Sequence, residues 1–421
     1  MSNPECISAR PVPAVAAPGV AAASVPLARA DGSPVYLDHA ATTPILPEAL
    51  AAMVDELAHT GNPSSLHNSG RRARRVVEES REVIAQAFGA RPSEVIFTSG
   101  GTEADNLAIK GLYWASQTGA GRTGRRRVLA TSIEHHAVLD CVQWLAEYQG
   151  ACVEWLGVDD AGRLSPDVLR TAIERDPASV AVISVMWANN EVGTIQPIAE
   201  IAALAHRHGA LMHTDAAQSA GKLALDVDAL GVDLLTLAGH KFYAPKGIGA
   251  LYVRTGTPIT AVLAGAGQER GLRPGTENIP QIVALGAAAR LARERLPETH
   301  ARLRALRDRL HARLSQEIPG LALNGHLEQR LPNTLNVSFP GVSGALLLQR
   351  VADRVAAATG SACHAGDAAP SGVLEAMGLS FERALGAVRL SVGHYTREAE
   401  IDAAAAALIA AWRELTITEH G

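Results

Sequence analysis

Apolar positions along this chain recur in two spacings. Residues 69–88 place Ala73, Val76, Val77, Ser80, Ile84, Ala87 and Phe88 on one face of a 3.6-residue period, which predicts an amphipathic helix. A short continuous run follows, Val95-Ile96-Phe97, and leads into Thr98-Ser99-Gly100-Gly101-Thr102. A second helix is predicted next, with Ala104, Leu107, Ala108, Gly111 and Leu112 on one face. Further strand-like runs occupy 128–130, 180–186, 210–212, 234–237 and 250–253, most of them separated by stretches long enough for a helical crossover. This alternation predicts an α/β fold, a mostly parallel sheet with helices on both faces. From about residue 280 the texture changes. A long Arg- and Leu-rich helix (282–316), a strand (334–339), a helix (343–354), a strand (389–392) and a last helix (397–415) predict a smaller α+β domain.

Composition adds bounds. The 421 residues exceed what one core usually supports, so two domains are expected. With 47% apolar and 19% charged residues the chain is ordinary for a globular protein, and a net charge of −5 leaves no footprint for nucleic acid or an anionic membrane. The basic cluster Arg122, Arg125, Arg126 and Arg127 lies among glycines and reads as a solvated loop. No apolar run approaches the ~18 residues of a membrane span. Four prolines (Pro11, Pro13, Pro18, Pro26) interrupt the Ala/Val-rich start, so residues 1–33 are read as a flexible tail rather than a signal peptide. The four cysteines (Cys6, Cys141, Cys152, Cys363) form no Cys-x-x-Cys pair, so no metal site is expected, and their scarcity suits a cytoplasmic protein. Cys141 and Cys152 sit in apolar stretches and are expected in the core.

The chemistry-bearing residues follow the strand-like runs, at the edge where open α/β sheets bind ligands. Gly100-Gly101-Thr102 stands between a strand and a helix start, where free N–H groups and the helix dipole favour a phosphate; a plain tight turn with a threonine cap fits equally. His135 follows the strand at 128–131, as a structural histidine or one that stacks on a cofactor ring. Asp215 ends another strand, as a helix cap or as the partner of a protonated pyridine nitrogen. Lys241 follows the strand at 234–237, as an exposed lysine or as the buried, low-pKa amine that a Schiff base needs. The four in this order converge on pyridoxal 5′-phosphate.

Longer strings carry a resemblance. YLDHAATTP (36–44), GNPSS (61–65), FTSGGTEADN (97–106), ANNEVG (188–193), HTDAAQ (213–218), GHKFYAPKGIG (239–249) and QERGLRPGTEN (268–278) resemble the cysteine desulfurase family, from residue 35 to the last helix. The resemblance implies a fold-type-I PLP-dependent enzyme. Its parts are a segment at 34–48 joining the small domain, a large α/β domain at 49–278, and a small C-terminal domain at 279–421. It implies Lys241 as the Schiff-base lysine, Asp215 on the pyridine nitrogen, Gln218 on the ring oxygen and His135 stacked on the ring. Gly101, Thr102 and His240 would hold the phosphate, with Thr276 reaching the neighbouring subunit's phosphate in a homodimer. Asn190 and Arg389 would bind the substrate carboxylate. Cys363, among small residues with Pro370-Ser371 following, matches the branch with a longer catalytic loop and would accept sulfur from L-cysteine as a persulfide. That branch passes sulfur to an iron–sulfur scaffold or a tRNA-thiolation protein. Two departures stand out: Ala238 replaces a serine common in the family, and Gly265-Ala266-Gly267 replaces a glycine triplet. An apolar residue at 238, the Ala-Cys-His string, and Phe381 followed by Arg389–Gly393 are similar to selenocysteine lyase, the alternative function, which would act on L-selenocysteine. An aminotransferase would need no acceptor thiol, and a non-enzymatic scaffold would have no use for this residue set.

Residues 1–33 lack a periodic apolar face and should contribute little to the fold. Their deletion should leave activity and melting temperature nearly unchanged; a large drop in either would show that the tail docks.

Overall fold

The computed structural model describes residues 33–118, 122–359 and 371–418. Among them twelve strands form three sheets: β1 (Val35–Tyr36), β2 (Val95–Thr98), β3 (Arg127–Thr131), β4 (Cys152–Leu156), β5 (Val180–Ser184), β6 (Met212–Asp215), β7 (Leu234–Ala238), β8 (Gly249–Val253), β9 (Ala322–Asn324), β10 (Thr334–Ser338), β11 (Val355–Ala356) and β12 (Ala387–Ser391). The large sheet has the order β2-β8-β7-β6-β5-β3-β4, and β8 alone runs against the others. Every residue of β5 to β8 is buried, as expected for strands covered on both faces. Because β2, β3, β6 and β7 are parallel, the turns after them open on one edge.

The predicted helix forms as Asn68–Phe88. The His67 Nδ1 accepts the Gly70 N–H at its start, and Gly89 in a left-handed conformation ends it. Its buried stripe of Ala73, Val77, Ser80, Ile84, Ala87 and Phe88 packs on the helix Ile279–Glu294. Arg81, from the same helix, is also buried, and its guanidinium meets Glu269 at 2.6 and 2.7 Å. The pair closes the free edge of β2: Glu269 accepts the Phe97 N–H at 2.8 Å and Arg81 donates to the Val95 carbonyl at 2.8 Å. An exposed strand edge is thereby covered by side chains.

The small domain is the antiparallel sheet β12-β10-β9 with the helices Leu296–Glu317 and Glu398–Thr418 packed together beside it. Its core includes Leu303, Leu310, Leu314, Leu335, Val337, Leu390, Ile401 and Leu408. Leu37 joins this core and β1 pairs with β11, while Leu46 joins the core of the large sheet. The chain therefore enters through the small domain and crosses to the large one.

Several expectations need correction. The helix expected over 282–316 is two helices, Ile279–Glu294 and Leu296–Glu317, with Arg295 between them at φ −99°. Pro297 has no N–H to donate and its ring crowds the carbonyl four residues back, so the first helix stops. The two halves bury their apolar faces in different cores, the first with the large sheet and the second with the small one. The helix expected over 343–354 ends at Arg350, because residues 355–356 are drawn into pairing with β1. The strand at 210–212 lies two residues later, as β6. Cys141 is buried as expected, but Cys152 is exposed, at the start of the edge strand β4.

Glu269→Ala should leave the Phe97 N–H without its partner and the buried Arg81 guanidinium with only Glu78 and the Val95 carbonyl. A loss of about 3–5 kcal/mol in unfolding free energy is expected by urea titration; an unchanged midpoint would show that the pair is not needed.

Candidate active site

The turns after β2, β3, β6 and β7 bring Gly101, Thr102, His135, Asp215, Gln218, His240 and Lys241 to one edge of the sheet. Gly101 opens the helix Gly101–Gln117, whose first-turn N–H groups have no partner within the helix. Strand β8 passes this turn so closely that a Cβ on Gly249 would stand 2.8 Å from Gly100 Cα. Ala238 presents its methyl to the same turn, 3.2 Å from where a Cβ on Gly101 would lie. His135 caps the helix His136–Gln149, its Nδ1 accepting the Ala137 N–H at 3.1 Å, which leaves the ring exposed and oriented.

Lys241 Nζ donates to the carbonyls of Ala40 and Ala41, both at 2.8 Å. Burial lowers its pKa to about 8, helped by the Arg389 charge and opposed by Asp215 and Asp38. Gln218 donates its Nε2 to the same Ala40 carbonyl at 2.9 Å, and its Oε1 is buried without a partner. His240 Nδ1 meets the Thr42 hydroxyl at 3.1 Å, and burial with the nearby lysines lowers its pKa to about 4, so the ring is neutral. Asp215 accepts the Ala217 N–H at 2.8 Å through Oδ1. Burial raises its pKa, while the charges of His135 and Lys241 pull it down. A carboxylate so placed is ionised most readily when a cation stands against it.

Beneath Asp215 lies a network that sequence reasoning missed. Asp105, His213 and Glu134 are all buried. Burial holds Glu134 up to about 8 and Asp105 well above the carboxylate range, and drives His213 down to about 3. The 3.5 Å approach of His213 to Asp105 is therefore not an ion pair, because the imidazole is neutral. His213 is fixed instead by the Ser184 and Thr236 hydroxyls at 2.9 and 3.1 Å.

The opposite wall comes from the small domain. Arg389, on β12, is 3% exposed and donates to the Asn190 carbonyl at 2.9 Å and to Asp38 Oδ1 at 2.8 Å. Asn190 Oδ1 is buried with no partner among the described residues. The two expected carboxylate binders thus meet, with Asp38, which no spacing rule marks, as the group that orients the guanidinium. Thr276 is exposed in the loop before the helix Ile279–Glu294. Cys363 lies outside the described residues.

A family model for class-V aminotransferases matches residues 35–404. The IscS-like cysteine desulfurase of Mycobacterium tuberculosis is 50% identical over 88% of this chain and 94% of its own. The cysteine desulfurase IscS of Methanosarcina thermophila is 45% identical over 87% and 89%. This chain belongs to the cysteine desulfurase family. A solved NifS-like protein superimposes on this desulfurase with a TM-score of 0.82 at 34% identity, over 91% of this chain and 100% of its own. The structure described as SspA in complex with cysteine gives 0.74 at 36% identity over 86% and 99%. The α/β architecture is the fold-type-I arrangement of these neighbours, and the likeness to selenocysteine lyase finds no support among these relatives.

Lys241 carries a proton in the unfolded chain up to its ordinary 10.5 and in the fold only up to about 8. Between these values the unfolded state binds more protons, so the stability of the cofactor-free protein should rise with pH across that window. Denaturant titrations of wild type and Lys241→Met should differ in slope there; identical slopes would place Lys241 in open solvent.

Proposed function

We propose that this chain is a homodimeric, cytoplasmic desulfurase that binds pyridoxal 5′-phosphate at the sheet edge and passes the sulfur of L-cysteine to Cys363. The observation that carries the reading is the convergence of a half-buried low-pKa lysine, a buried aspartate and a helix N-terminus on one edge, facing an oriented arginine.

The residues fit the cofactor. Gly101, Thr102 and His240 would hold its phosphate, the neutral His240 through the Nε2–H that its Nδ1 contact with Thr42 leaves free. Thr276 would serve the partner subunit's phosphate. Asp215 would face the pyridine nitrogen through the carboxylate oxygen not engaged by Ala217, and Gln218 and His135 would flank the ring. Lys241 would hold the group covalently, giving up its two carbonyl contacts. When bound, pyridoxal phosphate withdraws electrons from the substrate's Cα and acidifies its proton.

The chain's own groups do the rest. Arg389 and Asn190 bind the substrate carboxylate, and Asp38 keeps the guanidinium in plane for a bidentate contact. Lys241, whose pKa is lowered to about 8, takes the proton at Cα in its neutral form and returns it, with His135 as a second acid–base group. The Cys363 thiolate attacks the substrate sulfur, so that cysteine and one thiol become alanine and one persulfide. Both flanks of the stretch that carries Cys363 support this role. Ala358 exchanges main-chain hydrogen bonds with Arg389, and the Ser371 hydroxyl donates to Glu191, next to Asn190. The persulfide would then go to an iron–sulfur scaffold or a tRNA-thiolation protein.

Purified protein should be yellow with pyridoxal phosphate, and Lys241→Ala should lose that band. Cys363→Ala should keep the colour and its spectral response to L-cysteine, yet form no protein persulfide and almost no alanine. Persulfide by mass spectrometry and alanine by chromatography check this; wild-type alanine yield from the mutant would falsify the role of Cys363.

A further inference from the structure

Lys222 is a second lysine at the site, buried at only 4% exposure, which the chemistry above does not use. Lysines are seldom buried unless paired, and among the described residues no carboxylate pairs with this one. Its Nζ donates instead to two main-chain carbonyls, that of Gln218 at 2.9 Å and that of Lys241 at 3.2 Å. These are the two residues whose side chains both reach the Ala40 carbonyl. We propose that Lys222 is a positioning residue that binds the backbones of Gln218 and Lys241 together, while Ala40 gathers their side chains, so that both point at the cofactor from a fixed register. The proposal rests on the reading of Lys241 as the cofactor lysine.

The local fold is built for this contact. Gly221, in a left-handed conformation at φ 71°, lets the turn after β6 approach the turn after β7, where a Cβ would come within 3.1 Å of Phe242 Cβ. The next residue, Lys222, therefore reaches under Lys241 with its full length. The charged or titratable groups that act on it are Lys241 and His240. Burial and the Lys241 charge lower its pKa to about 7. With or without its proton the amine has enough N–H bonds for both carbonyls, and the lowered pKa lessens the positive charge it adds beside Lys241.

Lys222→Met keeps the volume and apolar stem and removes both donors. In that variant the rate at which cofactor-free protein takes up pyridoxal phosphate should fall. Its kcat on L-cysteine should drop by about tenfold, as expected for a reacting group displaced by a fraction of an ångström, with KM unchanged because Arg389 and Asn190 are untouched. Lys222→Gln, one atom shorter, keeps two N–H donors at a shorter reach and should show smaller losses in both measurements; it decides the matter if the methionine variant does not fold. A folded variant with wild-type uptake and kcat, or one that loses KM alone, overturns the positioning role. A wild type that stays colourless with pyridoxal phosphate overturns instead the reading of Lys241.

Discussion

Two peptide carbonyls, those of Ala40 and Ala41, set the geometry on which the site depends. They lie on a short stretch of chain between the two cores, where the backbone has no sheet partner to satisfy them. Buried carbonyls left unpaired are costly, and here they draw in Lys241 Nζ and Gln218 Nε2. The stretch itself is held from both sides. Ser391 of β12 receives the Ala40 N–H at 2.8 Å, and the His240 carbonyl receives the Thr43 N–H at 2.9 Å. Asp38, two residues earlier, holds Arg389. One segment thus ties the lysine of the large domain and the arginine of the small one to the same few atoms.

Desolvation then does opposite things to opposite charges. It makes Lys241 easier to deprotonate and Asp215 harder to ionise, so each group is poised to respond to what is placed against it. Glu134 and His213 deepen this setting by staying neutral, and burial pushes Asp105 the same way. Charges on Asp105 and Glu134 beside that of Asp215 would repel one another in a low dielectric. The low dielectric is a consequence of the sheet, since β5, β6 and β7 bury both faces and leave only the turns after them in contact with the cleft.

The free edge of that sheet needs its own solution. The turn proposed to hold the phosphate follows β2, an edge strand, and edge strands fray. The Arg81–Glu269 pair ties β2 to the segment that continues toward Thr276. The same pair that protects the edge therefore also sets the path of the loop proposed to reach the partner subunit.

The α/β class, the helix Asn68–Phe88 and the positions of Lys241, Asp215, His135 and Gly101 were legible in the chain, because each depends on local period or on a motif that ends a strand. Arg389, Asn190, Gln218, His240 and Thr276 came only through the family strings, since nothing in their spacing marks them. The break at Arg295, the shortened helix before β11 and the exposure of Cys152 were decided by tertiary packing: one continuous amphipathic pattern was shared between two cores, and a run of mixed polarity became an edge strand. Lys222, Asp38, Asp105 and Glu134 were invisible for a related reason. Their work is done through contacts between segments far apart in sequence, and a lysine or a carboxylate looks the same in sequence whether water or a buried carbonyl receives it.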